Sequence, residues 1–175
     1  LTPTNTHSPN MKEVYILSAV RTPIGSFGGS LASLTAPALG AIAFKGAMQK
    51  AGIDSALVQE LFVGNVLPAG LGQAPATQVA ANAGFGFEIP CTLINKVCAS
   101  GMKAVMLGAQ SIMLGQNDII LAGGMESMSN IPYYLMKARN GYKYGHGELL
   151  DGLQFDGLTD IYNQCAMGVC ADNTA

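Results

Sequence analysis

The residues best suited to covalent chemistry in this chain are its thiols, Cys91, Cys98, Cys165 and Cys170. Cys98 stands in Asn95-Lys-Val-Cys-Ala-Ser-Gly-Met-Lys-Ala, where an apolar strand pattern gives way to a helical one. A thiolate is the nucleophilic form of cysteine, and a helix N-terminus, with its free N–H groups and partial positive charge, favours that form. Gly101 clears space beside the sulfur, and Ala99 and Ser100 keep the turn small. Those residue types in that order suit acyl transfer through a thioester. A free cysteine is also among the most buried of residues, and position alone leaves a packing role open.

The other candidates are weaker. Cys165 and Cys170, five apart, do not share a helical face and read as packing residues. There is no C-x-x-C pair, and the histidines are His7 and His146, so no metal site is expected. His146, in Tyr144-Gly-His-Gly, reads as an exposed loop residue, and Gly70-Leu-Gly72 lacks the third glycine of a dinucleotide loop. Lys103 and Lys137 read as solvated, and methionines such as Met102, Met106, Met113, Met125 and Met128 as fillers of irregular core gaps. Four thiols in a chain large enough to hold a core suggest a reducing compartment.

Composition narrows the function classes. The chain has 175 residues, of which 11% are charged, with a net charge of -2. Ordinary soluble proteins carry about 25% charged residues, so part of this surface is expected to be covered by something other than water. Nine basic against eleven acidic side chains, unclustered, exclude a nucleic-acid partner that depends on phosphate neutralisation. Residues 61–87 carry no charge and could span a bilayer by length, but Pro68, Pro75 and five glycines break them, so no membrane insertion is expected. The first residues match neither a secretory signal nor an Arg-rich transit peptide. The expected location is cytoplasmic, with mitochondria, after removal of a transit peptide, as the alternative.

Several elements must position Cys98. Residues 13–20, β-branched and apolar on both faces, predict a central strand. A helix over 38–51 ends at Gly52, and Asp54 caps a short turn after it. Strands are expected over 61–66, 92–97 and 118–122. Between them, Pro75 opens a helix stopped by Gly84, and a helix over 99–114, apolar nearly all round, predicts burial on every side. Strand and helix alternating in this way predict an α/β layered fold with a mainly parallel sheet around a buried central helix. From Met125 onward the pattern dissolves into an excursion that covers the sheet, and a last helix opens near Met167, which the chain end interrupts. The expected organisation is a flexible arm over 1–12, a core over 13–124 and a separate region over 125–175.

Five segments carry a family resemblance: Val20-Arg-Thr-Pro-Ile-Gly-Ser-Phe, Gly64-Asn-Val, Gly72-Gln-Ala-Pro, the Cys98 decapeptide, and Ala122-Gly-Gly-Met-Glu-Ser-Met-Ser-Asn. In this order they resemble the thiolase family, collinearly from residue 13 to 175, and most nearly its acetyl-CoA acetyltransferase branch. The resemblance implies a thiolase-like layered fold in which 125–175 begins the substrate-covering loop domain and the C-terminal half is absent. It implies that Cys98 accepts an acetyl group from acetyl-CoA and that a second acetyl-CoA condenses with it to acetoacetyl-CoA, reversibly. No covalently bound cofactor is implied, because coenzyme A thioesters are the substrates. Leu158 and Met167 match family positions lining the coenzyme A and acyl pocket, and a homodimer or homotetramer is implied.

The activating histidine, second cysteine and oxyanion asparagine of the family lie in the half not represented, so this segment alone is expected to be inactive. Two departures are Ala166, where many acetoacetyl-CoA thiolases have histidine, and Thr77, where the family usually shows arginine. They bear on acyl chain length and on an ion pair or dimer contact. Two alternatives stand beside the enzyme: a catalytically inactive thiolase-like structural or assembly subunit, and a ketoacyl-synthase-type condensing enzyme.

Overall fold

A computed structural model describes residues 11–175. Most of the arm expected over 1–12 lies outside the described residues, and Lys12 at its end is tied to Asp118 by an ion pair of 2.7 Å.

Three parallel strands form the main sheet: β1 (Glu60–Gly64), β2 (Cys91–Ile94) and β3 (Ile120–Gly124), in the order β2-β1-β3. β1 is central, and its Leu61 and Val63 are fully buried. Strand side chains alternate between faces, and the two faces have different partners. Leu61 and Val63 join Phe44 and Met48 of α1 (Ala36–Ala51) and Val79 and Ala80 of α2 (Pro75–Ala83) in one core cluster. On the other face, Ile120 and Ala122 meet Gly108 of α3 (Ser100–Met113). The sheet is therefore a middle layer between α1 with α2 and α3. This is the α/β layered arrangement that the alternation of elements predicts, with boundaries shifted by one to three residues.

The helix ends follow their local chemistry. Thr35 accepts the Ala38 N–H with Pro37 in the first turn, which moves the start of α1 two residues ahead of the expected one. Gly52 and Gly84 adopt left-handed conformations that close α1 and α2. Asp54 caps the turn Ser55–Leu57 as expected.

Three expectations change. Residues 13–20 form no strand: they are fastened to α1 by Ser18 Oγ donating to Ala47 O and Lys50 Nζ donating to Ala19 O. Ile16 is 79% exposed. A β-branched run becomes a strand only where a neighbour supplies a hydrogen-bonding edge, and β2 and β3 do not pair with it. The second change concerns α3, which lies on the sheet through a stripe of small residues, Ser100, Ala104, Gly108 and Ser111, while its other face is open. Met102, Met106 and Met113 on that face are exposed rather than core-filling, as is Met128 beyond β3, whereas Met125 is buried as expected. The third is α4 (Met167–Asp172), which opens at Met167 as expected but closes before the last residues, capped by Asn173.

Beyond β3 the chain forms two small antiparallel pairs. β4 (Tyr133–Tyr134) pairs with β5 (Leu150–Asp151), and β6 (Thr159–Asp160) with β7 (Cys165–Ala166). A π-helical turn, Gln154–Leu158, joins them. Among the described residues no helix is long and apolar enough to cross a membrane.

Candidate active site

Cys98 lies in the turn between β2 and α3, four residues past Ile94, at the edge where the parallel strands end. Ligand sites of open α/β sheets gather at that edge. Its thiol is free and exposed. The loop carrying it is bound to itself: Val97 N–H donates to Asn95 Oδ1 at 2.9 Å and Lys96 N–H to Ser100 Oγ at 2.8 Å. Ser100 Oγ donates in turn to Val97 O at 2.6 Å. Ser100 is thus both the buried first residue of α3 and the clamp of the loop before it. Val97 has φ of 50°, a left-handed conformation that a β-branched side chain adopts at a cost of about 1–3 kcal/mol. No side chain caps α3, so the positive end of the helix is left beside the thiol.

Glycines bring this elbow onto the sheet. A Cβ on Gly64, the last residue of β1, would sit 2.4 Å from the Ser100 carbonyl carbon and 2.5 Å from Gly101 N. Gly124, paired with Gly64 across the β1–β3 register, would place a Cβ 3.2 Å from Gly101 Cα. Three glycines from three elements therefore meet, and the closeness is one that a side chain on Gly64 would prevent, whereas a Cβ on Gly101 would lie no nearer than 3.7 Å to Gly124.

Directly past those strand ends lies a buried polar cluster. Asn65 is 1% exposed, and its Nδ2 donates to Glu126 Oε1 at 2.7 Å and to Met125 O at 3.3 Å. The Glu126 carboxylate also accepts the Val66 N–H at 2.8 Å and the Leu67 N–H at 3.2 Å. Burial raises the Glu126 pKa above the ordinary glutamate value, against the three donors that favour the charged form. Asn65 Oδ1 is buried without a partner.

The 65–67 loop held in this way supports two neighbours. Asn95 Nδ2 donates to Val66 O at 3.1 Å, fastening the Cys98 elbow. A Cβ on Gly157 would lie 3.2 Å from Leu67 Cδ1, so the turn containing Leu158 rests on the same loop. The structure thus links the supports of Cys98 and Leu158. Both Leu158 and Met167 are about half exposed, and among the described residues no hydrogen bond joins either to the elbow. Asn65 and Glu126 carry no catalytic signal in the sequence beyond lying inside two of the family-like segments. Their signal is positional, since each is a polar residue just past the terminal glycine of a strand.

The remaining candidates fall elsewhere. Cys91 opens β2 at the opposite edge, half-buried, and burial pushes its thiol up, with the Thr77 side chain bonded to it acting in the other direction. His146 is exposed in its loop as expected, and Lys103 is half-buried on α3. The expectation for Cys165 and Cys170 needs correction. Cys165 belongs to β7 and not to a helix shared with Cys170, and the two sulfurs lie 3.8 Å apart. A groove of about 460 Å³ between the C-terminal ends of α1 and α2 is lined by Met48, Ile53 and Phe85, and no residue of the Cys98 elbow lines it.

Known proteins supply the last observation. Residues 14–175 match the family described as thiolase, N-terminal domain. The chain is 56% identical over 165 residues to acetyl-CoA acetyltransferase 2 of Arabidopsis thaliana, covering 94% of this chain and 41% of that protein. It is also 56% identical over 167 residues to the mitochondrial acetyl-CoA acetyltransferase of Homo sapiens, covering 95% of this chain and 39% of the relative. The crystal structure of Acat5 thiolase from Ascaris suum in complex with coenzyme A superposes with a TM-score of 0.89 at 47% identity, over 93% of this chain and 42% of that one. The chain thus spans about two-fifths of the length of these relatives. The glycine-packed elbow, the layered sheet and these matches converge on one conclusion: the chain belongs to the thiolase family and corresponds to its N-terminal domain.

Proposed function

We propose that Cys98 is the acyl-accepting nucleophile of an acetyl-CoA C-acetyltransferase. The observation that carries this reading is the exposed thiol at the start of α3, on the strand-end edge of a thiolase N-terminal domain. The Cys98 thiolate attacks the thioester carbonyl of acetyl-CoA, the tetrahedral intermediate collapses, and coenzyme A leaves as a thiol after taking up a proton. A second acetyl-CoA, deprotonated at its methyl carbon, attacks the acetyl-Cys98 carbonyl. Acetoacetyl-CoA departs and the thiolate is restored, and thiolysis runs the same steps in reverse. The cofactor requirement is met by coenzyme A thioesters acting as substrates.

The elbow is prepared for this chemistry by rigidity. Five hydrogen bonds within 95–100 and the glycine contacts hold Cys98 in one place, which limits the reorganisation needed on acylation. Leu158 and Met167 present apolar side chains suited to the acyl and pantetheine portions of the substrate. In our reading 125–175 opens the loop domain, with its first residues strapped to the core by Ser127 Oγ donating to Leu34 O and Asn130 Nδ2 donating to Ala32 O. The open face of α3 and the unpaired 13–20 run are covered in the full-length homodimer or homotetramer, which also supplies the base that this segment lacks. The segment alone does not turn over. Four free thiols suit a reducing compartment, the cytoplasm or the mitochondrial matrix.

The test is the intact mass of the full-length protein after exposure to acetyl-CoA, followed by peptide mapping. One acetyl group on Cys98 is the expected result. An unmodified Cys98 in a folded protein would sink the proposal.

A further inference from the structure

We propose that Asp160, Cys165 and Cys170 form a binding site for a thiophilic divalent cation of the zinc class. The site is built by the β6–β7 pair and the helix that follows it. Asp160 and Cys165 are direct cross-strand partners, and Gln164, at φ of 53°, turns the chain back between them. α4 begins immediately after β7 and returns Cys170 to the same point. The ligand atoms of all three residues lie within 4.8 Å of one another.

The distances fit a metal better than a disulfide. Two thiolates bound at about 2.3 Å to a tetrahedral zinc ion stand about 3.8 Å apart, and the Cys165 and Cys170 sulfurs are 3.8 Å apart. A disulfide needs about 2.05 Å. Asp160 Oδ2 lies 3.8 Å from the Cys170 sulfur, completing a third corner. The carboxylate is aimed by its surroundings: Asn163 Nδ2 donates to Oδ2 and the Tyr162 N–H donates to Oδ1 at 3.0 Å. Outer hydrogen bonds of this kind orient metal-binding ligands.

Charge argues the same way. Two thiols and a carboxylate converge, and among the described residues no Lys, Arg or His forms a salt bridge with Asp160. A bound cation displaces both thiol protons to solvent as two thiolates coordinate. Two sulfurs and one oxygen select a borderline-soft ion over magnesium or calcium, and water fills the fourth position. The consequence is structural: the ion pins β7 to α4, and with them Met167. The proposal does not depend on the chemistry of Cys98.

The test is titration of the full-length protein, kept reduced with a phosphine, with cadmium or cobalt(II) as spectroscopic stand-ins for zinc. The expected result is a thiolate-to-metal charge-transfer band that saturates at one ion per chain and disappears in both Cys165→Ser and Cys170→Ser. Asn163→Ala, which leaves all three ligands in place, is expected to weaken binding by roughly 10- to 100-fold. Circular dichroism identifies any variant that fails to fold, and Asn163→Ala then carries the test. A band that survives both serine variants would place the metal on other thiols of the full-length protein and overturn the proposal. So would the absence of any band.

Discussion

Cys91 and Cys98 bracket one strand and have opposite characters. Cys91 begins β2 at the edge where the parallel strands start, half-buried, with a pKa raised by desolvation. Cys98 follows β2 at the edge where the strands end, exposed at the uncapped start of α3. Helices that connect parallel strands begin at the strand-end edge and finish at the other, so only one edge offers helix N-termini and open loops. Seven residues of separation carry a thiol from a half-buried place on one edge to an exposed one on the other. The lesson is that residue type is uninformative here until the end of the sheet is known.

The comparison can be broken most directly by substitution. Cys98→Ala is expected to abolish acetylation of the full-length protein by acetyl-CoA, whereas Cys91→Ala leaves it in place. Peptide mapping of both variants decides this, and the reverse pattern would reverse the assignment of the two edges. Next in size is Gly64→Ala, whose Cβ would meet the Ser100 carbonyl carbon at 2.4 Å. Because the obstacle is backbone, the start of α3 must lift from the sheet, at a cost of about 3 kcal/mol. A urea midpoint unchanged from the parent protein would show that the contact is soft. A smaller effect is expected from Val97→Gly, which removes the strain of a β-branched residue at positive φ and stabilises the fold by about 1 kcal/mol. It also loosens the elbow, so slower acetylation accompanying higher stability is the signature to look for.

The subtlest effect concerns Glu126, whose folded-state pKa is raised above its ordinary 4.5 by burial. Protonation of this group therefore favours the folded state. Its stabilising contribution is full below 4.5 and is lost as the pH rises through the raised value. As pH falls from neutral toward 4.5, the parent protein should gain stability relative to Glu126→Gln, which cannot titrate. Parallel stability profiles for the two proteins would show that the carboxylate is not desolvated as the structure indicates.

Much of the site was legible in the sequence. The turn between an apolar strand and an apolar helix placed Cys98, and the helix stops at Gly52 and Gly84 followed from a residue that tolerates positive φ. The family-like segments marked Gly64, Asn65, Gly124 and Glu126 but gave no roles for them. Their roles depend on contacts 60 residues apart, such as Asn65 with Glu126 and Gly64 with Gly124. The pairing of Cys165 with Cys170 is invisible to helical spacing for a related reason: the two residues stand on different elements.

What the sequence determined alone was local: where helices start and stop, which segments are apolar enough to be core, and which thiol precedes a helix. These follow from backbone propensity and periodicity, which act over a few residues. The tertiary structure decided whether the 13–20 run has a strand partner, which stripe of α3 is covered, and which carboxylate supports the elbow. Each of those depends on a surface supplied from elsewhere in the chain. Strand pairing, burial and desolvation are properties of two surfaces in contact, and a linear pattern describes only one of them.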